Sequence, residues 1–232
     1  MNPILQVRQV NKRYGKVAAL SGVSFDVAPG RIVGLLGPNG SGKTTLIKII
    51  CGLTSDYEGV VVIGDNPPGL AAKREIAYLP DRESLPDWLK VKDVLRYFAD
   101  FYDDFDIARA AEMLVSLKVD AEKRVKALSK GMKEKLQLAL VMCRRPKLYI
   151  LDEPIAGVDP AARDLIMRTI LQNFHEGASI LLSTHIISDV EALFDDVIFL
   201  KDGEIALAGP AEDIRAREGK SIDQLFREVF AC

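Results

Sequence analysis

Residues 32–45 read IVGLLGPNGSGKTT, the most informative segment of the sequence. It joins an apolar run, Ile32–Leu36, to a glycine-rich turn and then to a helical pattern over Thr44–Cys51. Residues 37–44 fit G-x-x-x-x-G-K-[ST], a loop whose backbone N–H groups cradle phosphates at the start of a helix. Because the loop lies between a strand and a helix, as the motif requires, a chance match on a surface loop is the weaker interpretation. The sequence therefore predicts a nucleotide-binding site.

The residues of this loop are expected to hold the phosphates. Glycines let successive N–H groups point inward, and the following helix adds partial positive charge at the same place. Lys43 is expected to reach the β and γ phosphates during catalysis, and the Thr44 hydroxyl is expected to bind Mg²⁺. The predicted phosphate contacts are Gly37, Asn39, Gly40, Ser41, Gly42, Lys43, Thr44 and Thr45.

Two acidic residues follow a second apolar run. The segment KLYILDE, residues 147–153, places Asp152 and Glu153 at the carboxyl end of a predicted strand, where open α/β sheets bind ligands. Asp152 is expected to hold Mg²⁺, directly or through water. Glu153 is expected to point the other way in an extended chain and to deprotonate the attacking water. Without other signals, an aspartate at a strand end before Pro154 would fit a simple turn. Because a phosphate loop precedes it in the same chain, the catalytic interpretation is favoured.

Outward from these segments, short apolar runs alternate with longer amphipathic ones, which predicts an α/β fold. Strands are expected at Val7–Val10, Val17–Leu20, Val23–Val27, Ile32–Leu36, Gly59–Ile63, Glu75–Leu79, Leu148–Leu151, Ile180–Leu182, Val197–Leu200 and Glu204–Ala208. The first three indicate an antiparallel β subdomain at the N-terminus, and the last two a hairpin. Continuous apolar runs such as Leu148–Leu151 predict a mostly parallel sheet buried on both faces.

A helical pattern interrupts this alternation. We therefore expect a single domain over residues 1–232, with a core of about 1–86 and 145–209 and an inserted α-helical lobe of about 87–144. The lobe is expected to include a helix over Gly131–Cys143, and a loop is expected at Pro67-Pro68-Gly69. Residues 210–232 are expected to form a helical tail with one apolar face: Leu225, Phe226, Val229 and Phe230.

The composition argues against several classes of protein. A net charge of −2 gives no sign of nucleic-acid binding through phosphate neutralisation. The three cysteines, Cys51, Cys143 and Cys232, lack C-x-x-C spacing and indicate reduced thiols, not a disulfide framework or a zinc site. The N-terminus lacks a signal-peptide layout, and no apolar stretch has the length to span a bilayer. Any membrane part is expected to come from another chain.

Three further segments narrow the class. LSKGM at 128–132 precedes a predicted helix, GVDP at 157–160 follows the Asp152 strand, and STH at 183–185 ends the next strand. In this order behind the phosphate loop, they resemble the ATPase subunits of the ATP-binding cassette (ABC) family over about residues 7–209. The resemblance implies a P-loop NTPase fold of the ABC type, ATP and Mg²⁺ as ligands, ATP hydrolysis, and a dimer that encloses the nucleotide.

The resemblance also implies roles for single residues. Tyr14 would stack on adenine. Ser129 and Gly131 would touch the γ-phosphate held by the opposite subunit, and Asp159 would communicate across the dimer. His185 would contact the γ-phosphate and position the water. Without the resemblance, these residues fit a half-buried tyrosine, a helix N-cap, a turn before a helix and a structural histidine.

Two positions depart from the common family pattern. The signature LSGGQ reads LSKGM here, with Lys130 and Met132 in place of glycine and glutamine. Asp81 replaces a glutamine that ligates Mg²⁺, so an oxygen ligand is kept and a charge is added. Similar departures occur in ATPase subunits resembling those of bacterial drug, peptide or antibiotic exporters.

The implied partners are an identical or different ABC ATPase subunit and an integral membrane transporter subunit, with no nucleic acid. This places the chain in the cytoplasm, peripheral on the cytoplasmic face of the cell membrane. Family analogy makes Leu85–Leu89, with Trp88, the docking region, and burial of Trp88 under the helical lobe is equally compatible with the sequence.

Other functions remain open at this point. A non-transport ABC ATPase of DNA repair or translation is the main alternative, although the chain has neither long coiled coils nor a second cassette. A GTPase is disfavoured because no Asn-Lys-x-Asp segment is present, and a kinase because the signature and His185 would have no task.

Overall fold

The computed structural model describes residues 2–82 and 85–230. Its strands are β1 (Leu5–Tyr14), β2 (Val17–Val27), β3 (Ile32–Leu36), β4 (Glu58–Ile63), β5 (Ile76–Leu79), β6 (Leu148–Asp152), β7 (Ser179–Thr184), β8 (Asp196–Lys201) and β9 (Glu204–Pro210). Its α-helices are α1 (Lys43–Ile50), α2 (Leu70–Glu75), α3 (Val91–Phe101), α4 (Ile107–Ser116), α5 (Lys130–Met142), α6 (Pro160–Asn173), α7 (Ala211–Glu218) and α8 (Ile222–Phe230). Over the residues described, no helix combines the length and the apolar character needed to cross a membrane.

The described strands form two sheets. One sheet is antiparallel with the order β2-β1-β4, and the larger sheet has the order β5-β6-β7-β3-β8-β9. Neighbouring strands of the larger sheet pair in parallel except for the β8–β9 hairpin. The predicted α/β fold, with a mostly parallel core and an antiparallel N-terminal sheet, is confirmed.

Alternate residues of the parallel strands face two different hydrophobic cores. In β6, Leu148 and Ile150 pack with the antiparallel sheet and α1, whereas Tyr149 and Leu151 pack with the inserted helices. Successive side chains of a strand point to opposite faces of a sheet. Covering both faces explains why these strands are continuous apolar runs in the sequence.

The helices α3, α4 and α5 lie between β5 and β6, where a helical insertion was expected. Val94, Leu114 and Leu136, one from each helix, share a core with the larger sheet. The tail folds back onto the same core, where Phe226 lies with its ring centroid 5.8 Å from that of Phe199. The predicted apolar face of the tail is therefore correct.

One predicted break within the antiparallel sheet is wrong. Val17–Leu20 and Val23–Val27 were expected to be separate strands, but β2 runs through both. Gly22 adopts a φ of +66°, and its N–H donates to Asn11 Oδ1 at 2.8 Å. The pairing register shifts nearby, so the glycine marks a bulge within one strand and not a turn between two.

A second expectation, a strand beginning at Glu75, is also wrong. Glu75 ends the short helix α2, and β5 begins at Ile76. The Glu75 carboxylate lies 2.8 Å from Lys147 Nζ, and its carbonyl accepts a hydrogen bond from Lys147 N at 3.0 Å. With six residues, α2 is too short to show a helical pattern of apolar residues in the sequence. Its end is marked instead by these contacts between Glu75 and Lys147.

Candidate active site around the phosphate loop

The glycine-rich loop connects β3 to α1 through positions that only glycine can occupy. Gly42, the N-cap of α1, has a φ of +108°, and a Cβ there would lie 2.6 Å from the Ala19 carbonyl oxygen. At Gly37, a Cβ would lie 2.4 Å from the Leu200 carbonyl oxygen. The loop is therefore wrapped tightly against β2 and β8, with its open side at the start of α1.

Lys43 is buried in the loop and bonded to it. Its Nζ donates to the carbonyl oxygens of Gly37 at 2.7 Å and Pro38 at 3.2 Å. The same Nζ lies 3.2 Å from Glu153 Oε1, with 5% of the lysine side chain exposed. This contact is an ion pair without hydrogen-bond geometry, since Oε1 is buried and accepts no hydrogen bond from the described residues. The cation expected at the phosphates is thus already next to the predicted base.

Asp152 lies at the end of β6, and only one of its two carboxylate oxygens accepts hydrogen bonds from the described residues. Ser183 Oγ donates to its Oδ1 at 2.6 Å, and Thr44 Oγ1 donates to the same oxygen at 3.4 Å. Oδ2 is buried and has no hydrogen-bond partner among the described residues. Burial raises the pKa of the Asp152 carboxyl, and the nearby charges of Asp81 and Glu153 add to the rise, against the two hydrogen bonds that lower it. A cation would satisfy the orphan oxygen.

These residues fit Mg²⁺. Mg²⁺ prefers hard oxygen ligands and is commonly held by one or two carboxylates together with phosphate oxygens and water. The unpaired Oδ2 of Asp152 and the adjacent Thr44 hydroxyl offer such ligands, and Asp81 lines a cavity together with Thr44. The described residues contain no cluster of three or more histidine, cysteine or acidic side chains able to hold a metal by themselves.

Glu153 is oriented differently from the sequence prediction. It was expected to continue an extended chain, but its φ is +52°, in the left-handed region that non-glycine residues rarely adopt. Its N–H donates to both the carbonyl oxygen and the hydroxyl of Ser183, each at 3.1 Å. The turn is held by the neighbouring strand, and strained backbone of this kind is often found at functional sites.

His185 contacts Glu153 directly. Its Nδ1 lies 2.9 Å from Glu153 Oε2 at the end of β7. A carboxylate can only accept, so Nδ1 carries the hydrogen and Nε2 is left for another partner. The imidazole is 37% exposed, whereas the Glu153 side chain is 10% exposed, so the pair joins a buried carboxylate to an accessible ring.

Ser183 also belongs to this site, although no role was predicted for it within the STH segment at 183–185. It bonds both acidic residues and pairs with Asp152 across β6 and β7. A signal was available: a serine ending a buried apolar strand requires a polar partner, and adjacent parallel strands end at the same edge of a sheet.

Lys43, Glu153 and His185 line one open cavity, whereas Asp152 and Ser183 are not among its lining residues. The cavity has a volume of about 420 Å³. Its lining residues are Ala19, Asn39, Gly40, Gly42, Lys43, Thr44, Thr45, Asp81, Glu153, Ala156 and His185. The structure thus brings together most of the predicted phosphate contacts, the exposed Asp81 and the catalytic candidates Lys43, Glu153 and His185. Gly37 and Ser41 lie beneath them, buried, with Ser41 Oγ unpaired among the described residues.

The predicted signature residues lie elsewhere. Ser129 is the exposed N-cap of α5 and accepts a hydrogen bond from Met132 N at 3.3 Å. Asp159 caps α6 in the same way, accepting from Ala162 N at 3.1 Å. Gly131 and Asp159 line a separate cavity of about 200 Å³. In the described chain, none of these three residues lines the phosphate-loop cavity.

The sequence also predicted roles for two aromatic residues, Tyr14 in base binding and Trp88 in docking. Tyr14 ends β1 and is 51% exposed, so a face of its ring is available. Trp88 is 68% exposed, so of the two alternatives left open by the sequence, burial of Trp88 under the helical lobe is wrong. By contrast, the hydrogen bonds of His175 are made by its backbone: its N–H donates to the Tyr149 hydroxyl at 3.2 Å, and its carbonyl oxygen accepts from Ala178 N at 3.0 Å.

Comparison with known proteins identifies the family of the chain. The family model described as ABC transporter matches residues 20–156, more than half of the chain. The chain belongs to the ABC transporter family. It is an ATP-binding subunit of that family and an ATPase.

Individual relatives cover most of this ABC cassette. The linearmycin resistance ATP-binding protein LnrL of Bacillus subtilis is 32% identical over 93% of the cassette and 72% of the relative. The Nod factor export ATP-binding protein I of Burkholderia pseudomallei is 34% identical over 96% of the cassette and 76% of the relative. A solved ATP-binding subunit of an ABC transporter superposes with a TM-score of 0.87 at 32% identity, covering 97% of the cassette and 99% of that chain. The shared fold extends over the whole described architecture.

Proposed function

We propose that this cassette hydrolyses ATP at a site completed by a second ATPase subunit and that hydrolysis drives an exporter through a separate membrane-spanning subunit. The observation that carries the proposal is that the predicted catalytic residues and the predicted signature residues lie at separate places on one chain. Lys43, Glu153 and His185 converge on the phosphate loop, whereas the N-cap Ser129 faces solvent on another part of the same chain. A second copy, or a related subunit, supplies its own Ser129 and Gly131 to the open side of the cavity.

The first step is nucleotide binding. The loop amides and the start of α1 hold the phosphates, and adenine stacks on Tyr14. Lys43 turns from Glu153 towards the β and γ phosphates, which frees Oε1 of the base. Thr44, Asp152 and Asp81 would hold Mg²⁺, and the bound ion would stabilise charge on the phosphate oxygens.

Hydrolysis follows when the second subunit closes the site. Glu153 accepts a proton from the attacking water, and the left-handed turn aims its carboxylate at the cavity. His185 orients that carboxylate through Nδ1 and presents Nε2 to the γ-phosphate. Asp159, capping α6 beside the signature helix α5, links the two subunits. Loss of the γ-phosphate removes the contacts that bridge the dimer, and the subunits separate.

The membrane subunit is proposed to dock near the start of the helical lobe. Trp88 and Phe101 are exposed to 68% and 66%, and the Phe101 ring centroid lies 4.6 Å from that of the exposed Tyr97. A groove of about 490 Å³ next to the lobe is lined by Leu53 and Tyr78 among others. The adjacent exposed rings of Tyr97 and Phe101, and separately the exposed Trp88, favour interaction surfaces. Docking at Leu85–Leu89, and with it a peripheral location on the cytoplasmic face of the cell membrane, is part of the proposal.

Export is proposed from the relatives named for Nod factor export and linearmycin resistance. The test is purification of the tagged cassette from solubilised membranes, with identification of the proteins that accompany it. We expect an integral membrane protein, recovered poorly with Trp88→Ala and Phe101→Ala. Val115→Ala is the matched control because Val115 is 79% exposed on α4. Recovery of ribosomal or DNA-repair components instead would contradict a transport function.

A further inference from the structure

A buried lysine underlies the aromatic residue proposed to bind the base. Lys12 lies two residues before Tyr14 on β1, and 4% of its side chain is exposed. Lysine is rarely buried to this extent, because removing an ammonium group from water is costly unless it is paired and hydrogen-bonded. The proposed reaction gives Lys12 no task, so its burial calls for a separate explanation.

The ammonium group of Lys12 is tethered from one side by Asp56. Its Nζ donates to the Asp56 carbonyl oxygen and, at 2.9 Å, to the Asp56 carboxylate. The Asp56 side chain is 97% exposed, so this carboxylate remains largely in water. The hydrogen bond from Lys12 is the main cause that lowers the pKa of Asp56. Pairs that reach water in this way add little to stability, but the two contacts fix where the ammonium lies.

The other side of the ammonium faces the Tyr14 ring. Lys12 Nζ lies 4.8 Å from the ring centroid, within the range of a cation–π contact. An ammonium has three N–H donors, and Asp56 takes the two contacts described above. The cation therefore occupies one face of the ring, and the 51% exposure of Tyr14 leaves surface for a second flat partner.

Lys12 and Tyr14 lie on β1, which pairs with the strand β2 at the edge of the phosphate cavity. Lys12 is the register partner of Leu20 in β2, and Tyr14 is the partner of Val17. Ala19, next to Leu20, lines the phosphate cavity, and its carbonyl oxygen approaches Gly42. The orientation of the Tyr14 ring is thus set by a strand pair that also contacts the phosphate loop.

We infer that Lys12 is a positioning residue that holds the Tyr14 ring for stacking, so that adenine binds on the ring face opposite the ammonium. The inference rests on the proposed role of Tyr14 in base binding. Lys12 itself does not touch the nucleotide. Its effect is therefore confined to ligands that carry a base, and it requires the Tyr14 ring.

The test compares ATP with inorganic tripolyphosphate, which can occupy the phosphate loop but has no base. Binding is measured by calorimetry in EDTA, where turnover is prevented. Lys12→Met keeps the apolar stem and removes the charge. We expect it to weaken ATP binding by about three- to tenfold and to leave tripolyphosphate binding unchanged. In steady-state assays, KM for ATP rises while kcat is kept.

Two further variants show whether the effect passes through the ring. In a Tyr14→Ala background, Lys12→Met is expected to weaken ATP binding no further. Arg8→Met is the matched control, because Arg8 also lies on β1 and pairs with an exposed carboxylate, Asp26, at 2.7 Å. Should Lys12→Met not fold, Asp56→Ala removes the exposed tether alone and is expected to weaken ATP binding selectively in the same way.

The outcomes separate this inference from the proposed function. If Tyr14→Ala weakens ATP binding but Lys12→Met and Asp56→Ala do not, only the inference fails. The inference also fails if Lys12→Met weakens the binding of ATP and of tripolyphosphate to the same extent. It fails as well if Lys12→Met weakens ATP binding as strongly in the Tyr14→Ala background as in the wild type. If Tyr14→Ala leaves ATP binding unchanged, the proposed base contact is itself wrong.

Discussion

His185 Nδ1 lies 2.9 Å from Glu153 Oε2, so an imidazole at the end of β7 and a carboxylate just beyond β6 form one hydrogen-bonded pair. The other oxygen of the same carboxylate lies 3.2 Å from Lys43 Nζ. Glu153 therefore contacts both the cation of the phosphate loop and the histidine of the next strand. In this arrangement the proposed base is held between two partners, and we propose that bound phosphate draws the lysine away.

Replacing Glu153 with glutamine removes the group that accepts the proton from water. We expect turnover to fall at least about a hundredfold, because general bases contribute on that scale. ATP binding is expected to remain and ATP-bound dimers to accumulate, as measured by phosphate release and by size-exclusion chromatography with ATP. Glu212→Gln is the matched control, since Glu212 is paired with Arg215 on α7, away from the phosphate cavity. Unchanged turnover in Glu153→Gln would defeat the assignment of the base.

Replacing His185 with alanine leaves the Glu153 carboxylate without its orienting partner. We expect kcat to fall about ten- to a hundredfold because the base is no longer held in the reactive geometry. The chain contains two histidines, which makes His175→Ala a direct control. His175 contacts Tyr149 through its backbone alone, so its imidazole is dispensable for that contact. Equal effects of the two substitutions on kcat would show that His185 has no specific role.

Asp81 adds a second carboxylate near Asp152 and is proposed to help hold Mg²⁺. Replacing it with asparagine keeps an oxygen but removes the charge. We expect the Mg²⁺ concentration for half-maximal turnover to rise by about tenfold, as found for residues that support metal ligands. Turnover measured across a Mg²⁺ titration tests this, and Asp65→Asn, on an exposed turn, is the control. An unchanged Mg²⁺ requirement would remove Asp81 from the metal site.

The helical lobe depends on the N-cap Asp106. Its Oδ1 accepts a hydrogen bond from Arg109 N at 3.0 Å, and this bond is the main cause that lowers the pKa of Asp106. A lowered pKa means that folding favours the ionised form, so the contribution exists above the ordinary aspartate pKa and is lost as pH falls through the lowered one. Asp106→Ala is expected to cost about 1 kcal/mol of unfolding free energy at neutral pH.

Urea denaturation at several pH values tests this expectation. The difference between wild type and Asp106→Ala should begin to shrink below about pH 4, where the carboxylate of the unfolded chain becomes protonated, and should disappear once the pH falls below the lowered pKa of the folded protein. Asp106→Asn keeps a capping oxygen without the charge and should retain most of the stability. A difference that stays constant with pH would mean that the charge of Asp106 has no part in the cap.

The phosphate side of the site was predictable because its signals are local. The loop needs glycine at Gly37 and Gly42, and the strands before Gly37 and Asp152 are continuous apolar runs. These features are encoded within a few neighbouring residues. The fold class followed from the same alternation of strands and helices.

The unpredicted features depend on contacts between distant residues. The left-handed turn at Glu153 is fixed by Ser183, which lies 30 residues farther along the chain. The burial of Lys12 depends on Asp56, 44 residues away. No periodicity or propensity reports such contacts, so the sequence suggested an extended Glu153 and gave no reason to single out Lys12.

The measurement that tests the central proposal most directly is complementation between two inactive variants. Lys43→Ala removes the phosphate-loop cation, and Ser129→Asp keeps an N-cap for α5 but places a negative charge beside the γ-phosphate. Ser129→Asn is the control for the cap without that charge.

Each variant alone is expected to show almost no ATP turnover. In an equal mixture, half of the dimers are mixed, and each mixed dimer has one intact site built from both chains. We predict that mixing restores about a quarter of wild-type turnover if the two sites act independently. A mixture as inactive as its components, with wild-type turnover per chain independent of protein concentration, would contradict a site shared between two subunits.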